Sequence, residues 1–206
     1  MQNKFTDGIR DGIPIALGYF SVSFAFGMTA LTQGLPLWAA VAISLTCLTS
    51  AGQFAGLTII AASGSLIEMA LSQFIINLRY FLMSLSLTQK VDPAMSRAKR
   101  AIISFGITDE IFALASSRYH GVGFRYMIGL MPLPIMGWTL GTLSGGVASG
   151  LLPQAIRDAL GIMIYGMFLA IILPPCRRSK QITAVVACAS ALSCLFALLQ
   201  PYVPIS

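Results

Sequence analysis

The stretch GIPIALGYFSVSFAFGMTALTQGLPLWAAVAISLTCLTSAGQFAGLTIIAASGSLI, residues 12–67, contains neither a charged side chain nor a histidine. A helix that crosses a bilayer needs about 20 mainly apolar residues, so this stretch is long enough for two crossings. Uncharged runs recur at 126–156, 159–176 and 181–206. Charged residues make up 10% of the chain, against roughly 25% in a soluble domain. We therefore predict an all-α integral membrane protein.

The hydrophobic segments predict six to seven helices within a single transmembrane domain, residues 1–206. After a short amphipathic lead-in at 3–12, with Pro14 in the first turn of the first span, the expected spans are 13–31, 37–62, 66–87, 126–147, 158–173 and 181–199. Small and amide residues at Ser50–Gln53 predict an interruption of the second span. A further segment, 101–117, carries two carboxylates and is short for a full crossing.

Lysine and arginine set the expected orientation of these spans. They concentrate in the gaps 90–100, 118–125 and 177–180, which the positive-inside rule assigns to the cytoplasm. The three gaps share one side if segment 101–117 dips into the membrane and returns, or lies shallow. Residues 13–88 and 126–199 would then be three-helix units of opposite orientation, as in the inverted repeats of many secondary transporters.

Arg79 falls near the middle of the third span, where a charge is costly. Two polar stripes on this helix predict that it faces the bundle interior; they comprise Glu68, Ser72, Arg79 and Ser86, and Gln73, Asn77, Tyr80 and Ser84. One interpretation is that Arg79, with Asn77, binds a substrate carboxylate. The other is that Arg79 pairs with Asp109 or Glu110 as a structural strut.

Two further polar groups have two interpretations each. Asp109 and Glu110 either carry a coupling proton or belong to a helix start capped by Thr108 or Asp109, with Arg118 or a basic loop as counter-charge. Ser50, Gly52 and Gln53 either line a local unwinding that holds the charged ends of a zwitterion, or allow close packing with one interhelical hydrogen bond from Gln53.

Several classes of function are disfavoured. The chain has no zinc-ligand spacing, phosphate-binding loop, nucleophile elbow or dinucleotide fingerprint, so we expect no catalytic residue, no metal and no cofactor. The clustered basic residues suit loop anchoring at a lipid bilayer better than nucleic-acid binding. A secondary transporter is the favoured class, and a channel-like or structural membrane subunit without alternating access is the alternative.

The order and spacing of the polar motifs resemble the AzlC family, the large subunit of branched-chain amino acid exporters. The shared motifs are Phe24–Gly27, Ser50–Phe54, Asn77–Tyr80 with Ser84–Leu87, Phe105–Glu110, and Ala159–Gly161 with Phe168. The resemblance implies export of neutral amino acids, typically valine, leucine or isoleucine, across the cell inner (plasma) membrane. It also implies proton antiport and a small AzlD-type membrane subunit as partner.

Overall fold

The computed structural model describes residues 4–118, 121–153 and 179–199, with isolated positions from 155 to 177. Over this part of the chain the predicted helical fold is confirmed, and extended backbone pairs at an isolated bridge between Val91 and Val122. The chain divides into two compact units, residues 1–161 and 162–206, which are described separately.

The helices of the first unit are α1 (Phe5–Thr32), α2 (Leu37–Thr46), α3 (Ser50–Ala61), α4 (Leu66–Thr88), α5 (Arg97–Phe105), α6 (Asp109–Ser117), α7 (Phe124–Leu130) and α8 (Pro132–Ala148). The second unit contains α9 (Lys180–Leu199). Among the described residues, four stretches are long and apolar enough to cross a membrane: α1, α4, α7 with α8, and α9. The predicted span at 158–173 falls almost entirely outside the described residues.

α1 begins earlier than predicted, because the amphipathic lead-in is helical and continuous with the first span. The helix starts at Phe5 and includes Pro14 in its interior rather than in its first turn. We call the end of the bundle where α1 begins the near end, and the end where α1 finishes at Thr32 the far end.

α1 packs lengthwise against α7 and α8 through glycines. A Cβ at any of these glycines would collide with the backbone of the facing helix, so only hydrogen at that position permits the approach. The residue numbers of the contacting pairs increase together along both helices: Phe5 lies against Gly129, Ala16 against Gly137 and Phe24 against Gly145. The two helices are therefore parallel. An inverted repeat of residues 13–88 and 126–199 requires them to be antiparallel, so that prediction is wrong for these two spans.

α2 and α3 form a helical hairpin, hairpin A, instead of one crossing. α2 starts at the far end, where Leu37 lies against Gly146. α3 returns to that end, because Leu57 packs in one buried cluster with Ala30 and Ala40. Backbone at Cys47 and Thr49 is extended, and these residues form the tip.

Hairpin A corrects the predicted second span. Residues 37–62 do not cross the bundle, and Ser50–Gln53 is the first turn of α3 rather than an interruption. The chain reverses just before this turn, at residues 47–49. This reversal leaves α1 and α8 parallel, because it removes one of the crossings on which the predicted orientations depended.

α4 then runs from the far end to the near end, antiparallel to α3. Near the start of α4, Met69 and Gln73 lie against Gly56, and further along Asn77 reaches the tip of hairpin A. The predicted bounds of this helix, 66–87, agree with the structure to within one residue.

α5 and α6 form a second hairpin, hairpin B, which enters from the near end. The first turn of α5 is anchored there by Arg100, whose guanidinium donates to the carbonyls of Met95 at 3.1 Å and Asp92 at 3.2 Å. The end of α6 returns to the same place, since the ammonium of Lys90 donates to the Ser116 carbonyl. The segment 101–117 thus goes in and comes back, as the distribution of basic residues predicted. Its tip is Gly106–Thr108.

Candidate functional site

The tips of the two hairpins meet the middle of three long helices. Tyr19 lies 14 residues into α1, Arg79 13 residues into α4 and Trp138 14 residues after the start of α7. At 1.5 Å per residue, each is roughly 20 Å from the start of its helical stretch. Each of these side chains contacts a hairpin or its neighbouring turn, and the ring centroids of Tyr19 and Trp138 lie 5.3 Å apart, edge to face.

Arg79 and Asp109 form an ion pair that joins α4 to hairpin B. Nη1 of Arg79 lies 2.8 Å from Oδ2 of Asp109, and Nη2 donates to the Tyr80 hydroxyl at 3.2 Å. Nε of Arg79 is buried and finds no hydrogen-bond partner among the residues that the structure describes. The side chain of Arg79 is 34% exposed and that of Asp109 is 21% exposed, so the ion pair is neither sealed in the core nor fully solvated.

Glu110 is held differently from its neighbour Asp109. Its carboxylate accepts a short hydrogen bond from the hydroxyl of Tyr19, which also lies 2.6 Å from Oγ1 of Thr108. Thr108 caps α6, because its Oγ1 accepts from the amide of Ile111 at 3.5 Å. The interpretation of Thr108 as a helix cap is therefore confirmed, and one carboxylate faces α4 while the other faces α1.

The expected counter-charge of these acids needs correction. Arg118 does not reach them: its Nη1 lies 3.3 Å from Oδ2 of Asp11, and its guanidinium stacks 3.9 Å from the ring centre of Tyr126. Arg118 ends α6 at the near end, nearly three helical turns from the tip of hairpin B. Arg79 is the counter-charge of Asp109, as the strut interpretation predicted.

Gln53 ties hairpin A to α8. Its Oε1 accepts from Nε1 of Trp138 at 3.1 Å and from the Ser44 hydroxyl at 3.4 Å, while its Nε2 donates to the carbonyl of Cys47. Ser44 in turn lies 2.7 Å from the hydroxyl of Thr142 on α8. With 3% of its surface exposed, Gln53 is a buried connector in this conformation and confirms the predicted interhelical hydrogen bond.

Asn77 joins α4 to the tip of hairpin A. Its Oδ1 accepts from the Thr49 hydroxyl at 2.8 Å, and its Nδ2 donates to the Gln73 carbonyl at 2.7 Å. Gln73 donates to the Gly52 carbonyl at 2.8 Å, and a Cβ on Gly52 would press on the Gln73 side chain. Ser50 begins α3 beside this contact and is half-buried.

The predicted site residues therefore fall into two groups, according to whether their polar groups already have hydrogen-bond partners. Asn77, Gly52 and Gln53 use their polar groups to hold hairpin A in place. Nε of Arg79 has no partner within the part of the chain that the structure describes, and this residue stands beside two carboxylates, Asp109 and Glu110. These acidic and basic groups are the chemically available part of the site.

Sequence reasoning missed Tyr19, Thr49 and Trp138 as site residues. Each has a polar atom within an apolar segment, but hydroxyl and indole groups are common in membrane helices and do not mark a site by themselves. The signal that could have found two of them is the shared Gly-aromatic pair, Gly18-Tyr19 and Gly137-Trp138, since the two rings contact one another.

An apolar cavity of about 220 Å³ lies between α4 and α5. It reaches from Arg100, at the near end, to Ile107 in the tip of hairpin B, and Ser84 and Leu87 line its α4 side. Of its lining residues, Ile107 is the nearest in the chain to the polar groups just described, since it directly precedes Thr108. Among the described residues, no cluster of histidine, cysteine or carboxylate side chains could hold a metal ion.

A membrane protein with two broken-helix hairpins and a central ion pair is thus the class that the fold defines. A sequence profile of the AzlC protein family matches residues 14–152, and the chain belongs to this family. It is similar to the inner membrane protein YgaZ of Escherichia coli, with 31% identity over 92% of this chain and 80% of the relative.

Two further relatives come from other organisms. An uncharacterized membrane protein of Archaeoglobus fulgidus is 31% identical over 82% of the chain and 75% of its own length. An uncharacterized membrane protein of Helicobacter pylori is 27% identical over 69% of the chain and 63% of its own length. No solved structure matches. The relatives are membrane proteins by name, in agreement with the apolar helices found here.

Proposed function

We propose that this protein is a secondary-active transporter that exports branched-chain or similar small neutral amino acids across the inner membrane. The observation that carries the proposal is the Arg79–Asp109 ion pair, which lies mid-helix beside the tips of hairpins that enter from opposite ends. Irregular backbone and charges at membrane depth are tolerated where they line a cavity or pathway, and broken helices are frequent at transporter binding sites.

The available groups suit a neutral amino acid. The guanidinium of Arg79 has donors for an α-carboxylate, because Nη1 and Nη2 each carry two N–H groups and make one bond each, to Asp109 and to Tyr80. The apolar cavity beside Ile107 offers aliphatic surface for the side chain. Since one methylene is worth only about 1–3 kcal/mol in such a pocket, we expect several aliphatic amino acids to share the site.

Proton coupling is proposed from the balance of charges. The described part of the site holds two carboxylates, Asp109 and Glu110, and the guanidinium of Arg79. When both acids are ionised, the group carries a net negative charge that a proton can neutralise. A carboxylate that is ionised in one conformation and protonated in another links substrate movement to the proton gradient. The proposal that a small AzlD-type subunit is the partner rests on the family resemblance alone.

The test is counterflow of radiolabelled leucine in proteoliposomes, with and without the co-reconstituted small subunit. Saturable counterflow favours a carrier, whereas flux that does not saturate favours the channel-like alternative. Arg79→Gln should reduce leucine affinity by about 10- to 100-fold, which corresponds to the ~1.5–3 kcal/mol of a hydrogen bond to a charged group. The matched control is Arg10→Gln, because Arg10 is exposed near the start of α1.

Two results would contradict the proposal. Wild-type protein that shows no flux of any aliphatic amino acid with the small subunit present would exclude the substrate class. Normal pH-driven flux in both Arg79→Ala and the double variant Asp109→Asn/Glu110→Gln, at normal expression, would exclude these residues as the site.

A further inference from the structure

We infer that the substrate zwitterion inserts into the Arg79–Asp109 ion pair, with its carboxylate on Arg79 and its ammonium on Asp109. This inference rests on the proposed function and assigns to Asp109 a direct role in recognising the substrate. Glu110 has a separate, positioning role through Tyr19.

The two neighbouring carboxylates, Asp109 and Glu110, are held in different ways. Glu110 accepts from the Tyr19 hydroxyl, which is itself buried beside Thr108 and Trp138. Asp109, among the described residues, is held by Arg79 and by no other hydrogen bond. Asp109 can therefore exchange its partner by moving a single side chain, whereas moving Glu110 would also disturb the contact between α1 and hairpin B.

Arg79 has more N–H donors than its present partners use. A guanidinium presents five N–H groups, and here one nitrogen bonds Asp109, another bonds the Tyr80 hydroxyl and Nε is unpartnered among the described residues. The two terminal nitrogens carry four of these N–H groups and use one each, so an incoming carboxylate can bond a second N–H there before the bond to Asp109 breaks. The ion pair is also partly exposed, at 34% and 21%, so a ligand can approach it.

Charge balance selects the ligand class. The empty ion pair is neutral and so is a zwitterion, so insertion exchanges one internal pair for two pairs and leaves no charge uncompensated. An anion without an ammonium group would take Arg79 and leave Asp109 alone. A cation without a carboxylate would do the reverse. Leaving one partly desolvated charge without its partner is unfavourable, so ligands with a single charge should bind poorly.

In this arrangement a proton and the ammonium group of the substrate compete for the carboxylate of Asp109. A proton on its carboxylate removes the anion that the ammonium needs, so a protonated site releases the amino acid. Exclusion of one by the other is the requirement for antiport. The charged or titratable groups that face this acid are Arg79 and Tyr80 from α4 and Glu110 on its own helix, with Tyr19 on α1 facing Glu110.

Competition for leucine counterflow tests the inference with three ligands of one shape. They are leucine, 4-methylpentanoate, which lacks the amine, and 3-methylbutylamine, which lacks the carboxylate. With wild type, leucine should compete at least 10-fold better than either analogue. In Asp109→Asn, leucine should weaken at least 10-fold and 4-methylpentanoate should gain relative to leucine. In Arg79→Gln, 3-methylbutylamine should gain instead.

The controls keep folding separate from recognition. Glu68→Gln removes an exposed carboxylate near the start of α4 and should leave the ligand order of wild type unchanged. If Asp109→Asn fails to give monodisperse protein, Asp109→Glu keeps both charges and should still reject the two singly charged analogues. Acceptance of either analogue by Asp109→Glu to the same extent as leucine would overturn the inference.

The outcomes for the two proposals differ. Absence of counterflow of leucine and of every other aliphatic amino acid in wild type, with the small subunit present, would contradict the proposed function itself. Leucine counterflow in wild type, together with an unchanged ligand order in Asp109→Asn, would leave the transport function standing and overturn the insertion of the zwitterion into this ion pair.

Discussion

At the scale of the residue, polar side chains that look alike in the sequence, each within an apolar helix, take two different roles. Gln53 and Arg79 both interrupt apolar helices, but the amide oxygen and nitrogen of Gln53 each have a partner, in Trp138 and Cys47, while Nε of Arg79 has none among the described residues. Sequence alone identifies both as residues that need partners. It offers an acid at 109 or 110 as one partner for Arg79, but it does not show that Trp138 is the partner of Gln53, because that contact joins helices that are far apart in the chain.

Trp138→Phe tests the connector role of Gln53. The substitution keeps a ring beside Tyr19 but leaves the buried Oε1 of Gln53 without its indole donor, a loss of about 1–3 kcal/mol. We expect the midpoint of thermal unfolding in detergent to fall by several degrees. The control is Trp38→Phe, whose ring is 75% exposed, against 2% for Trp138. Equal shifts for the two variants would contradict the prediction.

At the scale of the element, the two hairpins were not equally predictable. Hairpin B could be anticipated because basic residues on both sides of it, at 90–100 and 118–125, mark one face of the membrane. Hairpin A could not, since residues 12–67 contain no charge to mark where the chain turns. Apolar length alone is the same for a helix that crosses and for two half-helices that return.

Cysteine accessibility distinguishes a hairpin from a crossing. In a background without the four native cysteines, Gln33→Cys and Ala62→Cys should react with an impermeant maleimide from the same face of the membrane. Ala94→Cys, beside the basic start of α5, should react from the opposite, cytoplasmic face. All three positions are exposed. If residues 37–62 crossed the membrane, Gln33 and Ala62 would react from opposite faces.

At the scale of the whole molecule, the proposed exchange of one proton for one zwitterion would move one positive charge across the membrane in each cycle. A potential of 100 mV acting on one charge supplies about 2.3 kcal/mol, which corresponds to a concentration ratio of roughly fifty-fold. We expect a negative internal potential, set with potassium and valinomycin at equal pH, to accelerate leucine efflux from proteoliposomes. Asp109→Asn should lose this response. Voltage-independent efflux by wild type would contradict one-for-one exchange.

Sequence reasoning reached the composition of the molecule but not its full arrangement. The apolar helices, the bounds of α4 and the need of Arg79 for an acid were predictable, because hydropathy and the cost of buried charge can be read from the sequence itself. The family was predictable from the order and spacing of the polar motifs. The parallel packing of α1 and α8 was not, because it depends on which glycines face each other. Such matching of surfaces leaves no periodic signal in either helix.

The glycine contact between α1 and α8 also has a consequence for biosynthesis. Gly12 lies against Pro134, so the two surfaces are 122 residues apart in the chain. At about 5–20 residues per second, the ribosome takes roughly 6–24 s to make that length. During this interval the nascent first helix has no permanent neighbour along its glycine face. Lipids or the insertion machinery must occupy that face until the later helix emerges.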